Sequence, residues 1–147
     1  MPAAASAGSV EVTGGTLAFN ATGSETNRVT VERISVNFFR LRDDATPLIA
    51  GADCEQSGTY QVRCAAGMVT AIEVNTRDLD DTAQIISAAD TTPATLRGGP
   101  GLDQLTGGPG ADALVAGAGP PIGVREELLR GGPGADTPAR SHHGLRG

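Results

Sequence analysis

The chain has no tryptophan and no lysine, and aromatic residues make up only 3% of its 147 positions. All 11 basic residues are arginines, set against 17 acidic ones for a net charge of −6. Without a basic cluster there is no surface to neutralise phosphates, which supplies most nucleic-acid affinity, so no nucleic-acid partner is expected. Anionic membranes are disfavoured on the same ground. No window reaches 18 consecutive apolar residues, which excludes a spanning helix. The apolar core is also thin, because 22 alanines swell the 39% hydrophobic fraction. Chemistry-bearing motifs are equally scarce. There is no HExxH and no GxSxG, and the only histidines, His142 and His143, sit five and four residues from the end. Asp43-Asp44 and Asp80-Asp81 read as solvated turns rather than acid/base dyads. Enzymatic activity is therefore not expected.

What the chain does have is glycine, 21 residues, and proline, 9, in excess of a typical globular composition. Seven of the glycines fall in residues 1–97 and 14 in residues 98–147, so the composition steps sharply near residue 97. The first seven residues end in Ala5-Ser6-Ala7, an A-x-A pattern like the end of a secretory signal peptide. On that basis residues 1–7 are the remnant of a signal peptide and the mature chain starts near Gly8; a small-residue disordered tail is the alternative. Cys54 and Cys64 lie ten positions apart around Ser57-Gly58, with no histidine near, so a zinc site is not expected. In an exported chain they read as a short-range disulfide, and otherwise as two buried thiols.

Residues 8–97 carry the alternation of short strands. Val10 and Val12, Leu17 and Phe19, Val29 and Val31, then Ile34, Val36 and Phe38 each alternate with polar neighbours. Tyr60, Val62 and Cys64, and Ile72 with Val74, continue the pattern. Period-2 runs rich in β-branched residues and bounded by Gly, Asn, Asp and Ser predict an all-β, β-rich N-terminal unit. Helical periodicity shows only over Arg125–Arg130, at most a turn or two.

Residues 98–136 are repetitive with a period of nine. Gly98-Gly99-Pro100-Gly101-Leu102-Asp103 is followed by Gly107-Gly108-Pro109-Gly110-Ala111-Asp112, and the loop returns as Gly131-Gly132-Pro133-Gly134-Ala135-Asp136. The glycines allow a turn that exposes carbonyls on one side. The aspartate closes the loop, and an apolar residue two positions on, Leu105 or Leu114, starts a short inward strand. Two such repeats make one turn of a parallel coil. Stacked loops then face each other with carbonyl and carboxylate oxygens, hard donors of the kind that suit Ca²⁺. A flexible Gly/Pro linker would have no reason to keep three aspartates in one phase.

These loops resemble the RTX, or hemolysin-type, calcium-binding repeats, and the layout as a whole resembles exported actinobacterial calcium-binding proteins with a β-rich, Cys-paired leader. The resemblance implies a short parallel β-roll after the leader, calcium as cofactor and partner, and the backbone carbonyls of Gly99, Gly101, Gly108 and Gly110 as ligands. Residues Val74–Ala83 resemble a degenerate first loop of the family. A regular 18-residue stack would pair Asp103 with Pro121 and Asp112 with Arg130, neither of which is a ligand. If residues 116–130 form a lengthened half-turn, Asp112 and Asp136 face one ion. A similar lengthening through Ala88-Ala89-Asp90 brings Asp81 near Asp103. One or two sites are expected, with Kd of roughly 10⁻⁴–10⁻³ M, as in extracellular modules. Pro138 replaces the inward leucine after Asp136, so residues 137–147 read as a disordered tail. The function implied is a secreted, non-enzymatic calcium-binding protein; the alternative is a structural or adhesive cell-surface repeat protein, or decayed fragment, with little calcium binding.

Overall fold

Gly14 and Gly15 both take positive φ, 57° and 83°, the conformation that a two-residue hairpin turn requires. They join β1 (Gly8–Thr13) to β2 (Thr16–Asn20) with Val10 opposite Phe19 and Val12 opposite Leu17. The computed structural model describes residues 7–22, 26–77, 79–86, 92–116, 128–130 and 137–140. All of its elements are strands, as the alternation predicts.

After β2 the chain crosses to a second sheet as β3 (Arg28–Arg33), then runs antiparallel through β4 (Phe38–Asp43). A short β5 (Leu48–Ala50) pairs with β1. Strands β6 (Cys54–Gly58) and β7 (Gln61–Ala65) form a hairpin on the free side of β4. The chain then returns as β8 (Ala71–Asn75), which lies parallel to β2. From there it alternates strictly between sheets: β9 (Thr82–Ile85), β10 (Ala94–Gly99), β11 (Gln104–Thr106), β12 (Ala113–Ala116), β13 (Leu128–Arg130) and β14 (Thr137–Arg140). One sheet has the order β14-β12-β10-β8-β2-β1-β5 and the other β13-β11-β9-β3-β4-β7-β6.

This topology makes β2 and β3 the first coil of the parallel stack. Residues 34–70 are an antiparallel excursion from that coil, closing its end before the stack resumes at β8. The compositional step at residue 97 falls inside β10, so leader and repeats share both sheets. Between the sheets lies one core, with Phe19, Phe39, Leu17, Leu41, Ile72, Leu96, Leu105 and Leu114 fully buried. Leu105 and Leu114 point inward, as the repeat pattern requires.

Several local expectations are corrected. Ile34 and Val36 are 42% and 77% exposed. The Ile34 and Ser35 amides both donate to the Phe38 carbonyl, so the chain turns there and restarts its phase with Phe39 and Leu41 inward. Tyr60 sits in the β6–β7 turn at 47% exposure. The weak helical pattern of Arg125–Arg130 gives way to β13 over its last three residues, because Leu128–Arg130 find ladder partners on β11, and six residues are too few to stabilise a helix alone. Residues 125–127 lie outside the described residues. Residues 137–140 are strand rather than tail: β14 pairs with β12. Pro138 is tolerated there because β14 is the outermost described strand of its sheet. Asp43 and Asp81, read as solvated, are 0% and 2% exposed.

Cys54 and Cys64 oppose each other across β6 and β7 and are bonded. Closing a loop with a sequence separation of 10 restricts the unfolded chain by about 2–3 kcal/mol. Urea denaturation with and without reductant is expected to show a loss of that size; coincident curves would mean that the bond adds nothing.

Candidate metal centre

The chain passes from the first sheet to the second through turns that stack on one edge of the coil. Three of them carry a polar residue just before the outgoing strand: Asn27 before β3, Asp81 before β9 and Asp103 before β11. Strand register enforces the stack, since Arg28 and Gln104 both pair with Thr82. All three side chains are buried, at 0%, 2% and 0% exposure. They form a ladder in which each carboxylate accepts an amide from the coil before it. The Asn27 amide donates to Asp81 Oδ1 at 2.7 Å, and the Asp81 amide donates to Asp103 Oδ1 at 2.9 Å. The structure thus places Asp81 and Asp103 in adjacent coils, joined by the Asp81 amide.

The loops before Asp81 and Asp103 share one backbone shape. Arg77 and Leu79 have φ of 69° and 70°, and Gly99 and Gly101, each 22 positions later, have 71° and 125°. Left-handed backbone costs an L-residue roughly 1–2 kcal/mol, so Arg77 and Leu79 hold a glycine's conformation at a penalty. Packing against the first repeat compensates. A Cβ built on Gly99 would lie 1.6 Å from the Arg77 carbonyl oxygen, and one on Gly101 would lie 2.2 Å from that of Leu79. A Cβ on Gly98 would lie 2.2 Å from Asp103 Oδ2. All three glycines are therefore required by close approach, and Gly99 and Gly101 by turn geometry as well. Asp80 Oδ1 accepts the Leu102 amide at 2.7 Å, and the Thr76 hydroxyl donates to the carbonyls of Arg97 and Gly98, both at 3.2 Å. The two loops are thus locked face to face.

The donors gathered here are oxygens: the carboxylates of Asp81 and Asp103, with the carbonyls of Arg77 and Leu79 aimed at the bare faces of Gly99 and Gly101. Among the described residues no three His, Cys, Asp or Glu side chains converge, so a site here draws most of its ligands from the main chain. Hard oxygen donors of mixed carboxylate and carbonyl type fit Ca²⁺ and offer nothing to a soft metal. The Arg77 and Leu79 carbonyls escaped sequence reasoning because neither residue is glycine; only the phase of Asp81 marks that loop as a repeat.

Asp112 lies on the opposite edge, in the turn from β11 to β12. It is 3% exposed and its Oδ1 accepts the Ala94 amide at 2.9 Å. Gly108 packs where a Cβ would meet Ile85 Cγ2 at 2.8 Å, and Gly110 is buried in the same loop. Asp112 and Asp103 therefore cannot share an ion. Ala113 pairs with Thr137, the offset of 24 expected for Asp112 over Asp136; Asp136 itself lies outside the described residues.

Residues 94–120 match the family model of the RTX calcium-binding nonapeptide repeat (four copies). This stretch is an RTX repeat array. No curated protein and no solved structure matches the chain. The RTX match begins at β10, so loop 76–81, which stacks on the first RTX loop, lies outside it. The chain thus carries calcium-binding repeats within an all-β frame. Among the described residues no helix is long and apolar enough to cross a membrane.

Proposed function

We propose that the chain is a secreted, non-enzymatic calcium-binding protein whose glycine-rich coils are ordered by Ca²⁺. The observation that carries this is the shared backbone of loops 76–81 and 98–103. Two carbonyls and the buried Asp81 of the first face the glycine cradle and the buried Asp103 of the second. Asp81, Asp103 and the Arg77 and Leu79 carbonyls would hold the ion, with Gly99 and Gly101 supplying space and further carbonyls. Bound calcium would supply positive charge to the buried carboxylates of Asp81 and Asp103. Asp112 would serve a second site on the opposite edge. Secretion is supported by the Ala5-Ser6-Ala7 pattern and by the Cys54–Cys64 bond, which persists in oxidising compartments.

The physical logic is linkage. The short coils after β9 bury few large side chains, so binding to the folded form alone supplies what packing does not. At tenfold excess over Kd one site adds about 1.4 kcal/mol. Titration followed by circular dichroism is expected to show β signal gained at millimolar Ca²⁺ and not with Mg²⁺. Asp103→Ala removes the carboxylate that loop 98–103 turns toward loop 76–81 and is expected to lose most of that gain. No change at about 10 mM calcium, well above the range of weak extracellular sites, would reject the function.

A further inference from the structure

Arg77 does more than lend a carbonyl. Its side chain turns back to the preceding coil, where Nε donates to the Ala21 carbonyl at 2.7 Å across 56 positions of sequence. Ala21 opens the β2–β3 turn and Asn27 closes it. In that turn the acid slot of the ladder is neutral, because Asn27 stands where Asp81 and Asp103 stand in the next two coils. Among the described residues the layer between turn and loop thus has the Asp81 carboxylate, the Asn27 amide and an arginine reaching a carbonyl. The layer below has the carboxylates of Asp80 and Asp103, each accepting an amide of the facing loop, with the Arg77 and Leu79 carbonyls facing the cradle of Gly99 and Gly101.

We propose that Arg77 stands in for a metal ion at the first layer of the loop stack, so that the coil of β2 and β3 forms without calcium and templates the calcium-dependent coils that follow. The proposal rests on the calcium function above and adds where in the stack the dependence begins. Three further observations support it. Of the 22 buried hydrophobic side chains among the described residues, 16 lie at or before Val74, both buried phenylalanines included. The disulfide lies in the same half. Asp43, outside the repeats, ties the turn to β4 by accepting Asn27 Nδ2 at 2.7 Å and the Arg28 amide at 3.0 Å. Among the described residues the first coil is thus bounded by the antiparallel strands β1 and β4 and by side-chain hydrogen bonds. Its free parallel edge, β8 with loop 76–81, presents the oxygens that the first RTX loop needs.

Hydrogen exchange of the full, disulfide-intact chain tests this directly. In EDTA the amides of β2, β3, β4, β7 and β8 are expected to exchange roughly 100-fold more slowly than those of β10, β11 and β12, and calcium is expected to protect the latter set. Arg77→Met keeps the aliphatic stem and removes the donor. It is expected to speed exchange in β2, β3 and β8 in EDTA and to raise several-fold the calcium concentration that protects β10–β12. Arg77→Lys, which restores a cation, is expected to recover part of both. Protection of β2 and β3 that appears only with calcium overturns the proposal, as does an Arg77→Met chain with unchanged exchange. Asn27 Oδ1 is buried without a hydrogen-bond partner, so an ion at this layer is the competing outcome. A calorimetric ion count that falls by one in Asn27→Ala overturns the proposal while leaving the calcium function standing. No calcium uptake at all defeats the calcium function instead, and exchange in EDTA still reports whether the first coil stands alone.

Discussion

Gly99→Ala is expected to separate the first RTX loop from the loop beneath it and to lose about 3–5 kcal/mol of calcium-bound stability, at the top of the range for single substitutions. Two terms add. The φ of 71° costs alanine roughly 1–2 kcal/mol wherever it occurs. The methyl would also lie 1.6 Å from the Arg77 carbonyl oxygen, and a backbone atom cannot swing aside as a side chain can. The loop must lift, and with it go the Asp81 amide to Asp103 hydrogen bond and the oxygen cluster. Gly14→Ala separates the terms, because Gly14 has φ of 57° and nothing within 4 Å of its added carbon. That variant is expected to lose only the conformational part, about 1 kcal/mol, with calcium binding intact. Urea midpoints in saturating calcium read both. Equal losses would mean that loops 76–81 and 98–103 do not pack as described.

Asp43→Ala is expected to cost about 3–5 kcal/mol, in EDTA and in calcium alike. Asp43 is fully buried at the end of β4. It accepts Asn27 Nδ2 at 2.7 Å and the amides of Arg28, Ala45 and Thr46 at 3.0, 2.9 and 3.1 Å. Truncation leaves four donors without this partner, in a place where water does not reach the removed group. Burying a donor without an acceptor costs more than the bond itself is worth. The excursion β4–β7 and the β2–β3 turn meet through this carboxylate and through the Thr46 hydroxyl, which donates to the Thr26 carbonyl at 3.0 Å, so loss of the carboxylate loosens the closed end of the stack. Asp103→Ala, by contrast, is expected to act chiefly when calcium is present. Thermal melts of both variants with and without calcium distinguish them. An Asp43→Ala chain that calcium rescues fully would show that the two halves are not organised as described.

Particular residues mark how far sequence reasoning reaches. The phase of Asp103 and Asp112 is a local signal, since glycine at fixed offsets sets the turn and a carboxylate closes it. Leu105 and Leu114 were legible as inward for the same reason. The pairing of Asp81 with Asp103 was reachable once the half-turn was allowed to lengthen, and the β9–β11 register realises it. Residues Val74–Ala83 were legible as a degenerate loop by resemblance, but the positive φ of Arg77 and Leu79 was not. Their left-handed backbone is imposed by the stack, against the preference of L-residues. Asp43 read as a solvated turn because acidic pairs usually are; its four donors come from segments up to 16 residues away. Leu128–Arg130 and Thr137–Arg140 read as other than strand because their ladder partners lie a coil away.

Composition and spacing alone determined that the chain is all-β, that its second half winds by glycine turns, and that those turns present oxygen to a hard cation. Such features follow from backbone freedom and side-chain period, which act within a few residues. Tertiary structure decided which loop lies on which, because coil length varies from 18 to 24 residues between paired strands and only sheet register chooses among the offsets. It also decided that β2 and β3 are the first coil and that an arginine reaches across their turn. Contacts of that kind join residues 50 or more positions apart, and no local pattern encodes them.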